Sequence, residues 1–330
     1  MTQTLERISL RRHLLDLDDW TPDELYRLVR RAGTIHAERG EGIWSEKPLR
    51  GRVLVNLFYE NSTRTRVSFE LAAKQLGADV VNVTASASSV TKGESLRDTV
   101  RTLQALGARV VVVRSSYSGA PDLIARVIAG AVVNAGDGWH AHPSQALLDL
   151  FTLTRHLGSL DGRKVVILGD ILHSRVARSN VWSLTAMGAE VVLCGPPTLL
   201  PASAAALYAA RPVPGTGASR KVQLEPRAER ALEGADVVMV LRLQRERQQA
   251  GLLPSLREYA RHYGLNPARL ALANPGALVM HPGPMNEGVE IDPAVAHGPS
   301  SLIEEQVENG VSIRMAILEQ LAGTLTGRGE

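Results

Sequence analysis

A chain of 330 residues, 44% hydrophobic and 22% charged, is long enough for two domains that each bury a core, and it has the composition of a soluble globular protein. Its net charge of +3 is small for that size, and no basic block is interleaved with aromatic residues, so a nucleic-acid partner is not expected, whereas anionic small ligands suit it. The single cysteine, Cys194, permits no intrachain disulfide and ends an apolar run, which fits a buried, inert thiol in a reducing cytoplasm; neither a secretory leader nor a window of about 18 apolar residues is present.

In chain order, Thr21-Pro22-Asp23-Glu24 predicts a helix start, with Thr21 as N-cap, Pro22 at the first position and Glu24 placed for a capping box. Leu25, Leu28 and Val29 line one face of that helix, which runs to Gly40. Residues 52–58 (RVLVNLF) read as a buried strand. The stretch 58–70 (FYENSTRTRVSFE) then turns into a helix whose pattern stops at Gly77. Ser62, Thr63, Arg64 and Thr65 fall in its first turn, where unpaired backbone N–H groups and the helix dipole favour an anion. An isolated Ser-Thr pair is commonly an N-cap. Three hydroxyls together with Arg64 and Arg66 exceed what a cap requires, and the turn predicts a phosphate cradle. Neither a Walker spacing nor a G-x-G-x-x-G turn is present, so a nucleotide site is not the default explanation.

A strand over 79–83 leads into the small, polar loop 84–95 (TASASSVTKGES), whose one cation is Lys92; by composition this is a surface loop. A helix over 94–106 precedes an apolar strand, 109–113, that ends at Arg114, the position from which open α/β sheets reach ligands. After a short strand at 131–134 comes GDGWHAHPSQ. His140 and His142 are two apart, but no cysteine or carboxylate completes a zinc spacing, and no metal is expected. Pro143 opens a helix to His156, leaving His142 at its N-terminus as a neutral hydrogen-bond donor.

The second half repeats the α/β pattern: a strand at 164–168, a turn at Gly169-Asp170, a helix over 174–187 and a strand at 190–194. Arg175 opens its helix against the dipole preference, which invites a functional reading. Residues 211–220 read as a loop. A strand at 236–241 runs into the polar stretch 242–247 (RLQRER), where Arg242 can grip a carboxylate with a planar fork. The last strand, 278–281, enters Pro282-Gly283-Pro284, a rigid turn whose carbonyls can accept from an amine. An amphipathic helix over 304–321 follows, and no internal repeat is evident.

The motifs S-T-R-T-R, H-P-S-Q, R-L-Q-x-E-R and H-P-G-P occur in one order over nearly the whole chain, and in this the chain resembles the aspartate and ornithine carbamoyltransferase family. The resemblance implies an α/β fold of two Rossmann-like domains, each a mostly parallel sheet flanked by helices. Residues 1–148 would bind carbamoyl phosphate and 149–302 aspartate, with the C-terminal helix, 303–330, packing back on the first domain. It implies that Ser62, Thr63, Arg64, Thr65 and Arg114 hold the phosphate, and that Thr65, Arg114 and His142 polarise the carbonyl oxygen. Gln145 and the carbonyls of Pro282 and Gly283 would meet the carbamoyl amino group. Arg175 would take the α-carboxylate of aspartate, and Arg242 with Gln244 its side-chain carboxylate. Ser88 and Lys92 would enter from a neighbouring subunit, with Ser86 and Ser89 as alternatives to the serine.

Within the family, H-P-G-P stands where ornithine enzymes carry a cysteine-containing H-C-L-P turn, and Lys92 and Arg242 would repel a cationic ornithine side chain. The expected reaction is therefore carbamoyl transfer to L-aspartate in pyrimidine biosynthesis, without cofactor. The alternatives are transfer to another amine, a metabolite-binding regulator that kept the fold, and a Rossmann-type oxidoreductase. A homotrimer with shared sites is implied, and regulatory chains or a dihydroorotase are further candidate partners. One departure is Glu287, where many aspartate enzymes have arginine; it bears on local loop pairing or a partner contact.

Overall fold

A computed structural model describes residues 11–84, 95–244 and 251–325. The first half runs α1 (Pro22–Gly40), β1 (Val53–Phe58), α2 (Thr63–Gln75), β2 (Asp79–Thr84), α3 (Leu96–Ala105), β3 (Ala108–Ser115), α4 (Ala120–Ala125), β4 (Ala131–Asp137) and α5 (Pro143–Leu157). Its strands form a four-stranded sheet in the order β2-β1-β3-β4, and each pairing is parallel. Valine dominates β3, as expected of a central strand in a parallel sheet covered on both faces; Val110 to Val113 are all buried.

The second half runs β5 (Lys164–Leu168), α6 (Arg175–Ala186), β6 (Glu190–Cys194), α7 (Ala204–Ala209), β7 (Val222–Leu224), α8 (Ala228–Leu232), β8 (Val237–Val240), α9 (Leu256–Tyr263), α10 (Pro267–Leu270), β9 (Leu278–Met280), α11 (Pro293–Ala296) and α12 (Ile303–Leu325). Its five-stranded parallel sheet has the order β7-β6-β5-β8-β9. The strand order reverses at β5, between β6 and β8, as in doubly wound sheets. Cys194 is buried at the end of β6, and burial pushes its thiol up to about 12. No helix of the described residues is long and apolar enough to cross a membrane.

The predicted capping box is present: the Thr21 hydroxyl accepts from Glu24 N (3.2 Å), and Glu24 Oε2 accepts from Thr21 N (2.9 Å). Strand β4 runs three residues beyond the expected end, to Asp137. Its polar residues are paired internally, with Asn134 Nδ2 donating to Leu15 O (2.9 Å) and Asp137 Oδ1 (2.8 Å), so they can be buried in a strand.

The amphipathic reading of the last helix does not hold. From Asn309 to Leu318 every residue of α12 is buried, because the helix lies against α1, α2 and α5 and has little solvent face. Arg39 reaches it from α1, donating to Ser312 Oγ (2.8 Å), and Arg31 donates to both carboxylate oxygens of Glu319 (2.6 and 2.7 Å).

His140, in the β4–α5 connection, sits against two carboxylates, Asp137 Oδ2 at 3.1 Å and Asp16 Oδ2 at 3.6 Å. The hydrogen bond to Asp137 raises its pKa to about 9, whereas burial raises Asp16 to about 7. A histidine raised in the folded state stabilises fully below its unfolded value of about 6.5, and that contribution is lost as pH rises through about 9. Thermal melts between pH 7 and 9.5 should therefore show a decline that His140→Gln largely removes. Equal slopes in the two proteins would refute it.

Candidate active site

Both sheets turn the carboxyl ends of their strands towards one cavity of about 690 Å³. The first sheet contributes Glu60 to Thr65 after β1, Arg114 from the end of β3, and His142 and Gln145 after β4. The second contributes Ser174 and Arg175 after β5, Arg242 and Gln244 after β8, and His281 to Pro284 after β9. Except for Arg66, every sequence-predicted site residue within the described chain lines this cavity: Ser62, Thr63, Arg64, Thr65, Arg114, His142, Gln145, Arg175, Arg242, Gln244, Pro282 and Gly283. Ser88 and Lys92, with residues 245–247, lie outside the described residues.

Ser62 is the N-cap of α2 with extended backbone (φ −159°, ψ 96°), yet its side chain makes no capping hydrogen bond. The hydroxyl is left for a ligand, as are the N–H groups of the first turn. Thr65 is buried in that turn, and Ser68 closes it by donating to the carbonyls of Arg64 (2.7 Å) and Thr65 (3.0 Å). Arg66 does not share the role expected of it. It is absent from the cavity lining and acts on Glu70 instead, because residues two apart on a helix do not share a face.

Two of the contacts between the halves set an arginine of one against a glycine of the other. Arg64 lies on Gly283, where a Cβ would stand 2.5 Å from the guanidinium carbon; Gly283 has φ +62°, and the Gly283–Pro284 peptide is cis. Arg175 lies on Gly136 of β4, where a Cβ would stand 2.8 Å from Nε, and Gly136 has φ +113°. Burial, followed by the charge of Arg242, lowers the Arg64 guanidinium below its ordinary value.

Glu60 organises two of the cations. Its Oε2 accepts from Arg175 Nη2 at 2.6 Å and lies 3.4 Å from Arg114 Nε. Arg114 also donates to Ala135 O (3.1 Å), and Arg175 to Ser115 O (3.4 Å) and Gly138 O (3.3 Å). Carbonyls and one carboxylate thus hold both guanidiniums in place before any ligand arrives. Among the described residues Glu60 is the only carboxylate in the lining, against Arg64, Arg114, Arg175, Arg242 and Arg314, so the cavity favours a polyanion.

His142 is buried at the N-cap of α5, and its backbone N–H donates to Ser179 Oγ (2.9 Å). The sequence predicts a donor ring. In the contact with Arg114 Nη1 (3.4 Å) it is Nε2 that accepts, since a guanidinium has only N–H groups to offer. For Nε2 to donate to a carbonyl oxygen, that contact has to open.

Several lining residues were not anticipated. Glu60 lay inside the quoted FYENST stretch, where an acid carried no signal beside so many donors. Arg314 had one: it interrupts the apolar run VSIRMAIL. It is 4% exposed, donates to Gly310 O (2.9 Å) and lies over the Phe69 ring at 5.1 Å, and burial lowers it to about 10. Glu287, the departure noted above, faces His297 Nε2 at 3.3 Å, a local pairing away from the cavity.

Two parallel α/β units closing a polycationic cleft at their strand ends define a protein that binds a small polyanion between domains. Residues 12–155 match the model of the aspartate/ornithine carbamoyltransferase carbamoyl-P binding domain, and residues 161–321 that of the Asp/Orn binding domain. The chain belongs to the aspartate/ornithine carbamoyltransferase family. It is 55% identical over 318 residues to the aspartate carbamoyltransferase catalytic subunit of Roseiflexus sp. (strain RS-1), covering 96% of this chain and 97% of that one. With its namesake from Chloroflexus aggregans (strain MD-66 / DSM 9485) it shares 56% over 313 residues, 95% and 99% of the two chains. Among solved structures, aspartate transcarbamoylase from Trypanosoma cruzi in complex with N-(phosphonacetyl)-L-aspartic acid superposes with a TM-score of 0.83 at 30% identity, covering 94% and 96%. Ornithine carbamoyltransferase from Pyrococcus furiosus gives 0.84 at 28%, covering 94% and 97%.

Proposed function

We propose that this chain transfers the carbamoyl group of carbamoyl phosphate to the amino group of L-aspartate, giving N-carbamoyl-L-aspartate and phosphate for pyrimidine biosynthesis. The observation that carries the reading is the single cavity in which the Ser62–Thr65 turn and Arg114 from the first half face Arg175, Arg242 and Gln244 from the second. A phosphate and a dicarboxylate can be held there side by side. The aspartate carbamoyltransferase names of relatives at 55–56% identity support the same acceptor.

The neutral amine attacks the carbonyl carbon, forming the C–N bond and placing negative charge on the carbonyl oxygen. Thr65, Arg114 and His142 face that oxygen, and one such donor is typically worth about 3–4 kcal/mol. The intermediate collapses by breaking the bond from carbon to the bridging phosphate oxygen. Phosphate departs with the electron pair, and the amine proton passes to it. No covalent enzyme intermediate arises. The chain's share is orientation, worth up to roughly 7–11 kcal/mol, and charge stabilisation. Arg175 takes the α-carboxylate of aspartate, exchanging Glu60 for it, and Arg242 with Gln244 takes the side-chain carboxylate. Residues 1–148 with the last helix form the carbamoyl-phosphate domain, and 149–302 the aspartate domain. Ser88 and Lys92 complete the site of a neighbouring copy in a homotrimer.

A parallel assay of the purified chain with carbamoyl phosphate and either L-aspartate or L-ornithine tests the reading. Carbamoylation of aspartate alone is expected. Product from ornithine alone would overturn the assignment of Arg242 and Gln244 and leave the phosphate turn standing.

A further inference from the structure

Beneath the cavity a carboxylate that no step above uses is wholly buried. Asp149, on α5 one turn after Gln145, is 0% exposed and accepts three amide hydrogen bonds. Gln145 Nε2 donates to Oδ1 at 2.9 Å, Gln306 Nε2 from α12 to Oδ1 at 2.8 Å, and Asn180 Nδ2 from α6 to Oδ2 at 2.8 Å. An ionised carboxylate has no hydrogen to give, so each amide has to present its NH2 group and turn its carbonyl oxygen away. Asn180 does so although its Oδ1 is then buried without a hydrogen bond.

The consequence differs on the two sides. Gln145 lines the cavity, and with Nε2 held by Asp149 the atom it turns outward is Oε1, an acceptor. Gln306 turns its Oε1 to the backbone N–H of His281 (3.0 Å). His281 Nδ1 in turn accepts from Gly283 N (2.8 Å), which fixes the turn whose carbonyls belong to the same cavity. His281 must therefore carry its proton on Nε2, facing Glu290 Oε1 at 3.4 Å. One buried carboxylate thus makes Gln145 an acceptor and, through Gln306 and His281, holds in place a turn whose carbonyls are acceptors by nature. Burial raises Asp149 to about 6, against the three amide donors and then the charge of Arg314, also on α12, which favour its ionised form, so it is charged at neutral pH.

Resting on the carbamoyl-transfer reading, we propose that Asp149 is a positioning residue for substrate choice: it keeps Gln145 turned as an acceptor and holds the Pro282–Gly283 carbonyls in place, so that the cleft selects an acyl phosphate bearing an NH2 group over one bearing a methyl group of the same size. A site built to hydrogen-bond an N–H rejects the analogue that lacks it, because its own acceptors would otherwise be buried unpaired.

The test compares carbamoyl phosphate with acetyl phosphate as acyl donor to aspartate, in wild type, Asp149→Asn and Gln306→Met. Asparagine keeps the size of the carboxylate but adds an NH2 group, which allows Gln145 or Gln306 to turn over. The ratio of kcat/KM values, carbamoyl over acetyl, should fall roughly tenfold or more in Asp149→Asn, while inhibition by inorganic phosphate stays near wild type. Gln306→Met cuts only the arm to His281 and should lower the same ratio, and it carries the test if Asp149→Asn fails to fold. Rates that fall by one common factor for both donors, in whichever variants fold, would mean a merely structural role and overturn the proposal. Absence of wild-type carbamoyl transfer would instead sink the function on which it rests.

Discussion

Replacing Arg64 with alanine should lower kcat by at least about 10²–10³-fold, the usual cost of one donor aimed at developing charge. The effect is expected at this residue because its guanidinium, the proposed phosphate contact, also walls the cavity, held against Gly283 with the charge of Arg242 beside it. Alanine removes the donor and leaves Gly283 without the group it packs against. Melting temperature should change little, since alanine suits the first turn of α2 and removes a guanidinium whose charge both burial and Arg242 disfavour. The proposed neighbour contribution sharpens the test. Mixing inactive Arg64→Ala chains with inactive Lys92→Ala chains, after dissociation and reassembly, should restore part of the activity, because some sites then receive an intact Arg64 and an intact Lys92 from different copies. Near-normal turnover of Arg64→Ala would sink the phosphate cradle. Failure of the mixture to recover would remove Lys92 from the neighbouring site.

Gly136→Ala should raise the KM for aspartate by roughly 10–100-fold, the loss of a charge-assisted contact of about 1.5–3 kcal/mol. The new methyl group would sit 2.8 Å from Arg175 Nε and 2.9 Å from its guanidinium carbon, so the side chain has to leave its place. The backbone itself, at φ +113°, adds a penalty of about 1–2 kcal/mol in stability for any residue with a Cβ. Gly107→Ala separates the two effects. Gly107 has φ +97° and nothing within 4 Å of an added Cβ, so that variant should lose stability while keeping its KM. If Gly136→Ala binds aspartate normally, Arg175 is not the carboxylate contact.

Much of this site could be read from the sequence because its residues sit where strands end, and strand ends are marked by abrupt changes from apolar to polar. Arg114 after VVVV, Arg242 after VVMVL and the S-T-R-T-R turn all carry that mark. The elements that escaped, α4, α7, β7, α8, α9, α10 and α11, are all short: β7 spans three residues, α10 and α11 four each, and α9, the longest, eight, too few to show a clear period. Others escaped because tertiary packing overrode pattern. The last helix reads as amphipathic only if the burial of Asn309, Ser312 and Arg314 is unsuspected, and that burial depends on partners nearly three hundred residues away in places. Arg66 was misplaced for the opposite reason, since a run of like residues hides which of them share a helical face. Glu60 and Asp149 had no local mark at all. Their importance lies in what converges on them, three-dimensional information that no spacing encodes.

The burial of α12 also bears on how the chain is made. Its inner face is covered by α1, α2 and α5, elements translated long before it, so the first sheet is synthesised, and exits the ribosome, with a groove still open along its helices. Leu25, Leu28, Ala32, Phe69 and Phe151, among the residues of that core, wait through the synthesis of the whole second sheet for their last neighbours. The two halves therefore cannot mature in simple succession, as beads on a string would. The nascent first half is the stretch most in need of shielding, and α12 acts as the clasp that ends its vulnerability.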